Sequence, residues 1–558
     1  MTRQWQVLCA GGGAAGAGVA GATSVAARIA AERGLDPALE IHHDPFLMKG
    51  MHAAVARIRQ AIERQERVLV FGDYDADGVT SSTLLKQGLA DLGARVGVRL
   101  PHRVEEGYGL QTSQVEEIVA QKVDLLITAD NGSSAHEPLA LAAAAGLDVI
   151  VVDHHSPTAE LPPAVAILNA RQADCAYPFK SLAAVGVAWK LLEALGWHGL
   201  EEGLDLVALG TVADLATLRG ENRLLVRSGL ERMRAGGRPG LEALLRLKGV
   251  TAQGEVDARV LGWQLGPRIN SAGRLAEADL AYDLLCATDP REAARLAERL
   301  DLLNQERRRV QDEAVRQAEG AIKGAQELPA MLIFVGADWH LGVIGLIAGR
   351  LCQAYDRPAL VMSRVLGNGL VKGSARSVPG LHITEAIARH RHLLENFGGH
   401  AEAAGLTVRE EHLRALMDGL GADLEERAGD LPAPVLRVDC AVAPTELDLS
   451  LIEDLMSLEP CGAGNPKPLL GLFGARIERL FTMSDGKHLK LWVSQGGRRF
   501  EAVWWGHGAQ EAAWRYGQEV DLAFEPAVNA WNGRTELQLR LEDLRPACSD
   551  ALATAASG

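Results

Sequence analysis

Aromatic side chains are scarce in this chain, 4% of its 558 residues, and its seven cysteines lie far apart. Cys9, Cys175, Cys286, Cys352, Cys440, Cys461 and Cys548 form no CxxC pair. That excludes a dense disulfide framework and a zinc knuckle, and it points to a reducing cytoplasm. An excess of basic charge is also missing. The formal net charge is −15, which argues against indiscriminate coating of nucleic acid but permits a local basic groove. Long apolar runs are absent too. CAGGGAAGAGVAGATSVAARIAA, residues 9–31, has no acid and one base, yet its Ala and Gly lack the hydrophobic density of a membrane span or signal segment. It reads as a flexible or weakly helical lead-in, and no membrane association is expected.

What is present is an ordinary globular composition, 47% hydrophobic and 23% charged, in a chain long enough for two to four domains. From about residue 52 the pattern is regular. Val55, Ile58 and Ile62 share a helical face, and the apolar run Val68–Phe71 opens VLVFGDYDADGVTSS. Helical stretches then alternate with VGVRLP, DLLITAD and DVIVVDHH. Strands apolar throughout and separated by helices predict a parallel sheet covered on both faces. Ligands of such sheets gather at the carboxyl ends of the strands. Those ends carry Asp73, Asp75 and Asp77, then Asp130, then Asp153, His154 and His155. Asp214 follows another apolar run in DLVALGTVADLATL.

Further on, Asp289-Pro290 starts a helix reaching about residue 323, with Asp289 as N-cap and Glu292 as capping-box partner. MLIFVGA and ALVMS predict a second α/β unit, and LPAP (431–434) punctuates its end. HLKLWVS, RRFEAVWW, EVDLAFEP and TELQLRLEDL then predict a small β-barrel of OB type. The expected boundaries are a leader at 1–44, a catalytic α/β domain at 45–288, a connecting helix at 289–327, a second α/β domain at 328–430, the barrel at 431–546 and a disordered tail at 547–558.

Taken singly, a strand-end aspartate ordinarily caps the next helix. Asp75, Asp77, Asp130 and Asp214 together with His154 make a hard, oxygen-dominated donor set that suits Mn²⁺ or Mg²⁺ better than zinc. Four carboxylates overbalance one divalent ion, so two ions are inferred, an arrangement that promotes in-line attack on a phosphoryl group.

DYDADG, TADNG, DHH and GTVAD stand in the order and spacing of the DHH phosphoesterase superfamily. From about residue 45 to 545 the chain resembles its bacterial RecJ branch, the single-strand-specific DNA exonucleases. GPRINSAGRLAEA, WHLGVIGLIAGRL, KGSARSVPG, FGGHAEAAGL and LEPCGAGNPKPLL add to the resemblance; residues 1–44 match poorly. The resemblance implies Asp75, Asp77, Asp130, His154 and Asp214 as ligands of two metal ions, with Asp130 or Asp214 shared. Asp73 is a ligand or a hydrogen-bonding neighbour, Asp153 orients His154, and His155 faces the substrate. Water, not Ser or Cys, is the implied nucleophile. Arg103, Ser374 and Arg376 are implied to hold a 5′-terminal phosphate, with His400 a further donor, while Arg268, Asn270 and Arg274 contact the strand nearer the metals. Some of these arginines could instead pair with acids. Trp492, Trp504, Trp505 and Trp531 are candidates for base stacking, although aromatics in a small barrel commonly form its core.

The implied activity is 5′-to-3′ digestion of single-stranded DNA to 5′-mononucleotides, in DNA repair and recombination. The implied partners are single-strand-binding protein and recombination helicases, acting on a monomer. The alternative is a superfamily phosphodiesterase or pyrophosphatase acting on oligoribonucleotides, cyclic dinucleotides or pyrophosphate. The barrel favours a long polymer, and the complete donor set counts against an inactive binding scaffold.

Overall fold

The computed structural model describes residues 4–9, 24–250, 256–323, 327–365, 369–427, 435–531 and 534–548. The chain forms two compact units. One comprises His42–Ala216 and Leu224–Pro432, and the other comprises Met1–Ile41, Thr217–Arg223 and Ala433–Gly558.

The first unit opens with a five-stranded parallel sheet in the order Arg95–Arg99, Arg67–Phe71, Leu125–Ala129, Asp148–Val152, Ala166–Leu168. Every residue of the central strand LLITA is buried, as expected for a sheet covered on both faces. Register places Phe71 beside Thr128 and Ala129 beside Val152. The segments that leave these strands therefore emerge at one edge, carrying Asp73, Asp130 and Asp153. Asp214 arrives differently, at the C-terminus of the helix Leu204–Ala213. That helix is apolar and buried nearly all round, so its sequence has no polar face to mark its period.

The helix Pro290–Ile322 runs for 33 residues from the N-cap Asp289, whose carboxylate accepts from the Arg291 amide. Glu292 does not complete a capping box; it pairs with Arg295 at 2.6 Å. A second, mixed sheet follows in the order Leu394–Gly399, Ala403–Arg409, Leu370–Arg376, Ala359–Val365, Leu332–Gly336. KGSARS thus lies largely within a strand, and alternation puts Ser374 and Arg376 on one face.

In the second unit, Leu470–Met483, His488–Gln495, Arg498–Trp504, Arg534–Pro546 and Glu519–Trp531 form a barrel, closed by pairing of the first strand with the last. Its interior is filled by Leu472, Ile477, Leu491, Val493, Ala502 and Leu522, none of them solvent-exposed. Val435–Ala441 and then Gln4–Cys9 extend the sheet in parallel.

The expected leader, 1–44, is therefore no separate segment. It supplies an edge strand and the helix Val25–Arg33, whose Ile29 is fully buried in the barrel core. Residues 10–23 of the Ala/Gly run, LPAP and most of the expected tail (549–558) lie outside the described residues. Among the described residues, no helix is long and apolar enough to cross a membrane.

Arg33 ties this helix down. Its side chain, 5% exposed, makes two parallel bonds to Asp439 at 2.9 and 2.8 Å and a third to the Asn465 amide oxygen at 2.7 Å. Removing one partner of a buried pair strands the other charge and costs about 3–5 kcal/mol. Arg33→Ala is accordingly expected to lower the urea midpoint of the barrel's unfolding transition, followed by tryptophan fluorescence. An unchanged midpoint would show that the N-terminal helix contributes nothing.

Candidate metal centre

The turn DYDADG folds tightly on itself because a Cβ at Gly78 would meet the backbone of Asp73 at 2.6 Å. Asp75 ends the turn as N-cap of the helix Ala76–Asp91, accepting from the amides of Asp77 and Gly78. Asp77, fully buried, accepts from the amides of Ala184 and Val185 at 2.7 and 2.9 Å, where the helix Ala184–Leu195 begins. Asp130 sits at φ +68°, in the left-handed region, a conformation Asp tolerates better than most residues. Capping is therefore real for Asp75 and Asp77, but it does not exhaust their carboxylates.

These side chains converge around the imidazole of His154. Its Nε2 lies 3.2 Å from Asp130 Oδ1, 3.6 Å from Asp214 Oδ2 and 3.9 Å from Asp77 Oδ2. Ligand atoms of Asp73, Asp75 and Asp130 form a second group, all within 4.8 Å of one another. Asp130 belongs to this group and also lies against His154, joining the two.

Electrostatics makes the cluster demand a cation. Burial, then the charges of neighbouring aspartates, pushes Asp77 up to about 7 and Asp214 up to about 8. The same causes hold Asp130 and Asp73 well above the usual carboxylate range. His154 is pulled down to about 4 by burial and by the neighbouring His155, so at neutral pH it presents a neutral, ligating nitrogen. Asp73 Oδ1, Asp130 Oδ1 and His154 Nε2 are buried without hydrogen-bond partners, an arrangement that proteins rarely leave uncompensated. The oxygen-rich set with one imidazole fits Mn²⁺ or Mg²⁺.

Asp153 departs from expectation. Its Oδ1 accepts from the His154 amide at 2.7 Å and from the His155 ring at 2.8 Å, so the imidazole it orients is His155. Burial lowers the pKa of His155, but this bond and the charge of Asp153 overcome it and lift the value to about 9. Burial likewise raises Asp153, yet His155 holds it well below the usual range. His155 is a cation at neutral pH, 3.8 Å from Asp130. The Tyr108 hydroxyl lies 3.2 Å from His155 Nδ1. Sequence reasoning passed over this tyrosine, although the Gly-Tyr-Gly of EEGYGL marked a loop at the rim.

Beside the centre is a groove of about 630 Å³ lined by Tyr74, Arg103, Tyr108, Lys372, Phe397 and Gly398, among others. Arg103 stacks over Tyr74 at 4.6 Å. Ser374 and Arg376 bond each other at 3.2 Å, and a Cβ at Gly345 would touch both at 3.0 and 3.1 Å. They thus close over the first turn of the helix Ile344–Tyr355. Arg274 is half-buried and donates to the Gly342 carbonyl; desolvation and Arg103 lower it to about 9.

Other expected contacts are occupied elsewhere. Arg268 is buried and bound to Asp301 at 2.7 Å, and the Asn270 side-chain oxygen, Oδ1, accepts from the Ala76 amide at 2.8 Å. His400 is exposed, and its backbone pairs with Ala403. In the barrel, Trp504 is core at 4% exposure, Trp492 lies half-buried under Arg499, and Trp505 is exposed. The side chain of Trp531 lies outside what is described.

Comparison with known proteins agrees with this architecture. The profile of the DHH family, N-terminal domain, matches residues 67–211. The DHHA1 domain matches 328–426 and the RecJ OB domain 438–543. The chain is 38% identical to the single-stranded-DNA-specific exonuclease RecJ of Bacillus subtilis, over 93% of its own length and 68% of that protein. It is 37% identical to RecJ of Dickeya dadantii, covering 93% and 95%. The crystal structure of RecJ from Thermus thermophilus in complex with Mn²⁺ superposes with a TM-score of 0.80 at 32% identity, over 94% of this chain and 76% of that one. The Mg²⁺ complex of the same protein gives 0.75 at 31% identity, over 94% and 75%.

Proposed function

Because this chain belongs to the RecJ family of single-stranded-DNA-specific exonucleases, we propose that it hydrolyses single-stranded DNA from the 5′ end, releasing 5′-mononucleotides. The reading rests on one observation above all: Asp77, Asp130 and Asp214 gather within 4 Å of an unpartnered, neutral His154. Asp75, Asp77, Asp130, His154 and Asp214 would hold two divalent ions, Mn²⁺ or Mg²⁺, with Asp130 shared. When bound, such ions lower the pKa of water and neutralise charge on the phosphoryl oxygens.

The chain's own groups do the rest. Asp153 holds His155 as an imidazolium, which donates toward a phosphoryl oxygen, and Tyr108 restrains its ring. Asn270 fixes the start of the helix that carries Asp77. Ser374, Arg376 and the first amides of the helix Ile344–Tyr355 form a cradle for the 5′-terminal phosphate, with Arg103 across the groove.

Arg376→Ala tests that cradle. Loss of a charge-assisted bond of about 1.5–3 kcal/mol should reduce the preference for a 5′-phosphorylated over a 5′-hydroxyl end by roughly tenfold or more. An unchanged preference would reassign the residue.

The enzyme would work in the cytoplasm as a monomer in DNA repair and recombination, receiving strands from single-strand-binding protein and recombination helicases. End-labelled single- and double-stranded oligonucleotides, offered with Mn²⁺, Mg²⁺ or chelator beside pyrophosphate and a dinucleotide, test the whole reading. Metal-dependent mononucleotide release from the 5′ end of single strands is expected; preferential cleavage of the small substrates would contradict it.

A further inference from the structure

Two thiols far apart in the chain lie side by side in the barrel unit. The edge strand Gln4–Cys9 pairs in parallel with Val435–Ala441, and its last register position puts Cys9 opposite Cys440. Paired strands run about 4.8 Å apart, inside the range of about 4.4–6.8 Å that disulfides span between Cα atoms. Opposed positions of a parallel pair also project to the same face, so the Cys9 and Cys440 side chains are neighbours. Both cysteines are reduced. We propose that Cys9 and Cys440 are a redox-active pair, which small-molecule disulfides convert to an intramolecular disulfide that latches the N-terminal strand to the barrel sheet.

The two sites are unequal in a way that orders the chemistry. Cys9 is half-buried, whereas Cys440 is fully enclosed in the core. The neighbouring Cys440 thiol lowers the pKa of Cys9 against the opposing effect of burial, and the Arg28 guanidinium adds to the lowering. Cys440 is raised by the neighbouring Cys9 and by burial. The Cys9 thiolate is therefore the attacking group. It displaces one thiolate from the small disulfide and forms a mixed disulfide. Cys440 then gives up its proton to the departing thiolate and attacks the Cys9 sulfur, releasing the second small thiol. Two protein thiols are oxidised and one small disulfide is reduced to two thiols. The remaining five cysteines offer no such pair: Cys175, Cys352 and Cys461 are buried apart, and Cys286 and Cys548 are exposed.

The test uses the full-length protein exposed to oxidised glutathione, then unfolded in excess N-ethylmaleimide, and mapped by mass spectrometry after non-reducing proteolysis. The expected result is a peptide linking Cys9 to Cys440, loss of two maleimide-reactive thiols from the seven, and recovery of both with dithiothreitol. Cys440→Ser should trap glutathione on Cys9, and Cys9→Ser should leave Cys440 unmodified. Glutathione confined to Cys286 and Cys548, with Cys9 and Cys440 both alkylated, would overturn the proposal. A mixed disulfide on Cys9 that persists in the wild-type protein would do the same. The wild-type result decides the matter even if Cys440→Ser does not fold.

Discussion

His154→Ala should lower turnover of single-stranded DNA by about a thousandfold, because losing a ligand that holds a catalytic ion forfeits several kcal/mol of transition-state stabilisation. Binding of the same oligonucleotide without metal should change by less than about threefold, the range of a substitution that touches no bound group. His154 is the cleanest probe of the cluster. Its Nε2 has no hydrogen-bond partner to abandon. Asp77, by contrast, also caps the helix Ala184–Leu195, and Asp75 caps the helix Ala76–Asp91. Alanine at either aspartate would mix lost chemistry with about 1 kcal/mol or more of lost helix capping. Single-turnover rates on a 5′-labelled oligonucleotide, beside a gel-shift titration, separate the two effects. Turnover within tenfold of wild type would place the reacting centre elsewhere.

The second large effect is on stability and its pH dependence. Without metal, Asp77 and Asp214 have folded-state values of about 7 and about 8, above their unfolded values. Their contribution is complete at acid pH and is lost as pH rises through 7 and 8. His155, raised to about 9, acts in the same direction. His154 is depressed to about 4 and acts oppositely, but its contribution is complete above its unfolded value near 6.5. Between pH 6.5 and 8.5 Asp77, Asp214 and His155 therefore act together, and the apparent unfolding temperature of the metal-free protein should fall. Mn²⁺ in hundredfold excess over its dissociation constant adds about 2.7 kcal/mol, several degrees for a unit of this size, and the increment should grow with pH. Differential scanning fluorimetry at pH 6.5 and 8.5, with chelator or Mn²⁺, measures it. An increment that shrinks with rising pH would mean that the carboxylates do not bind the ion.

Most of the centre was legible in the sequence because apolar strands in a parallel sheet end at one edge. VLVF, LLITA and DVIVV announced themselves by composition, and whatever followed them had to meet. What the sequence left unmarked has physical causes that local residue patterns do not carry. Asp214 stands on a helix buried on all sides, so no periodicity marked its element. Asp153 bonds the ring of His155 rather than that of His154 because of how the turn after the strand closes. Arg268 is satisfied by Asp301 on the long helix, a pairing that residue spacing does not encode. The N-terminal strand finds its partner more than four hundred residues away, and nothing local in QWQVLC says so. Trp504 and Trp505 are adjacent, yet the strand ends between them, leaving one in the core and the other exposed in the turn.

The most direct test of the central claim is anomalous diffraction from crystals soaked in Mn²⁺. Two manganese peaks are predicted among Asp75, Asp77, Asp130, His154 and Asp214, with Asp130 between them. Manganese bound only outside this cluster, or no peak at a concentration that supports turnover, would contradict the account.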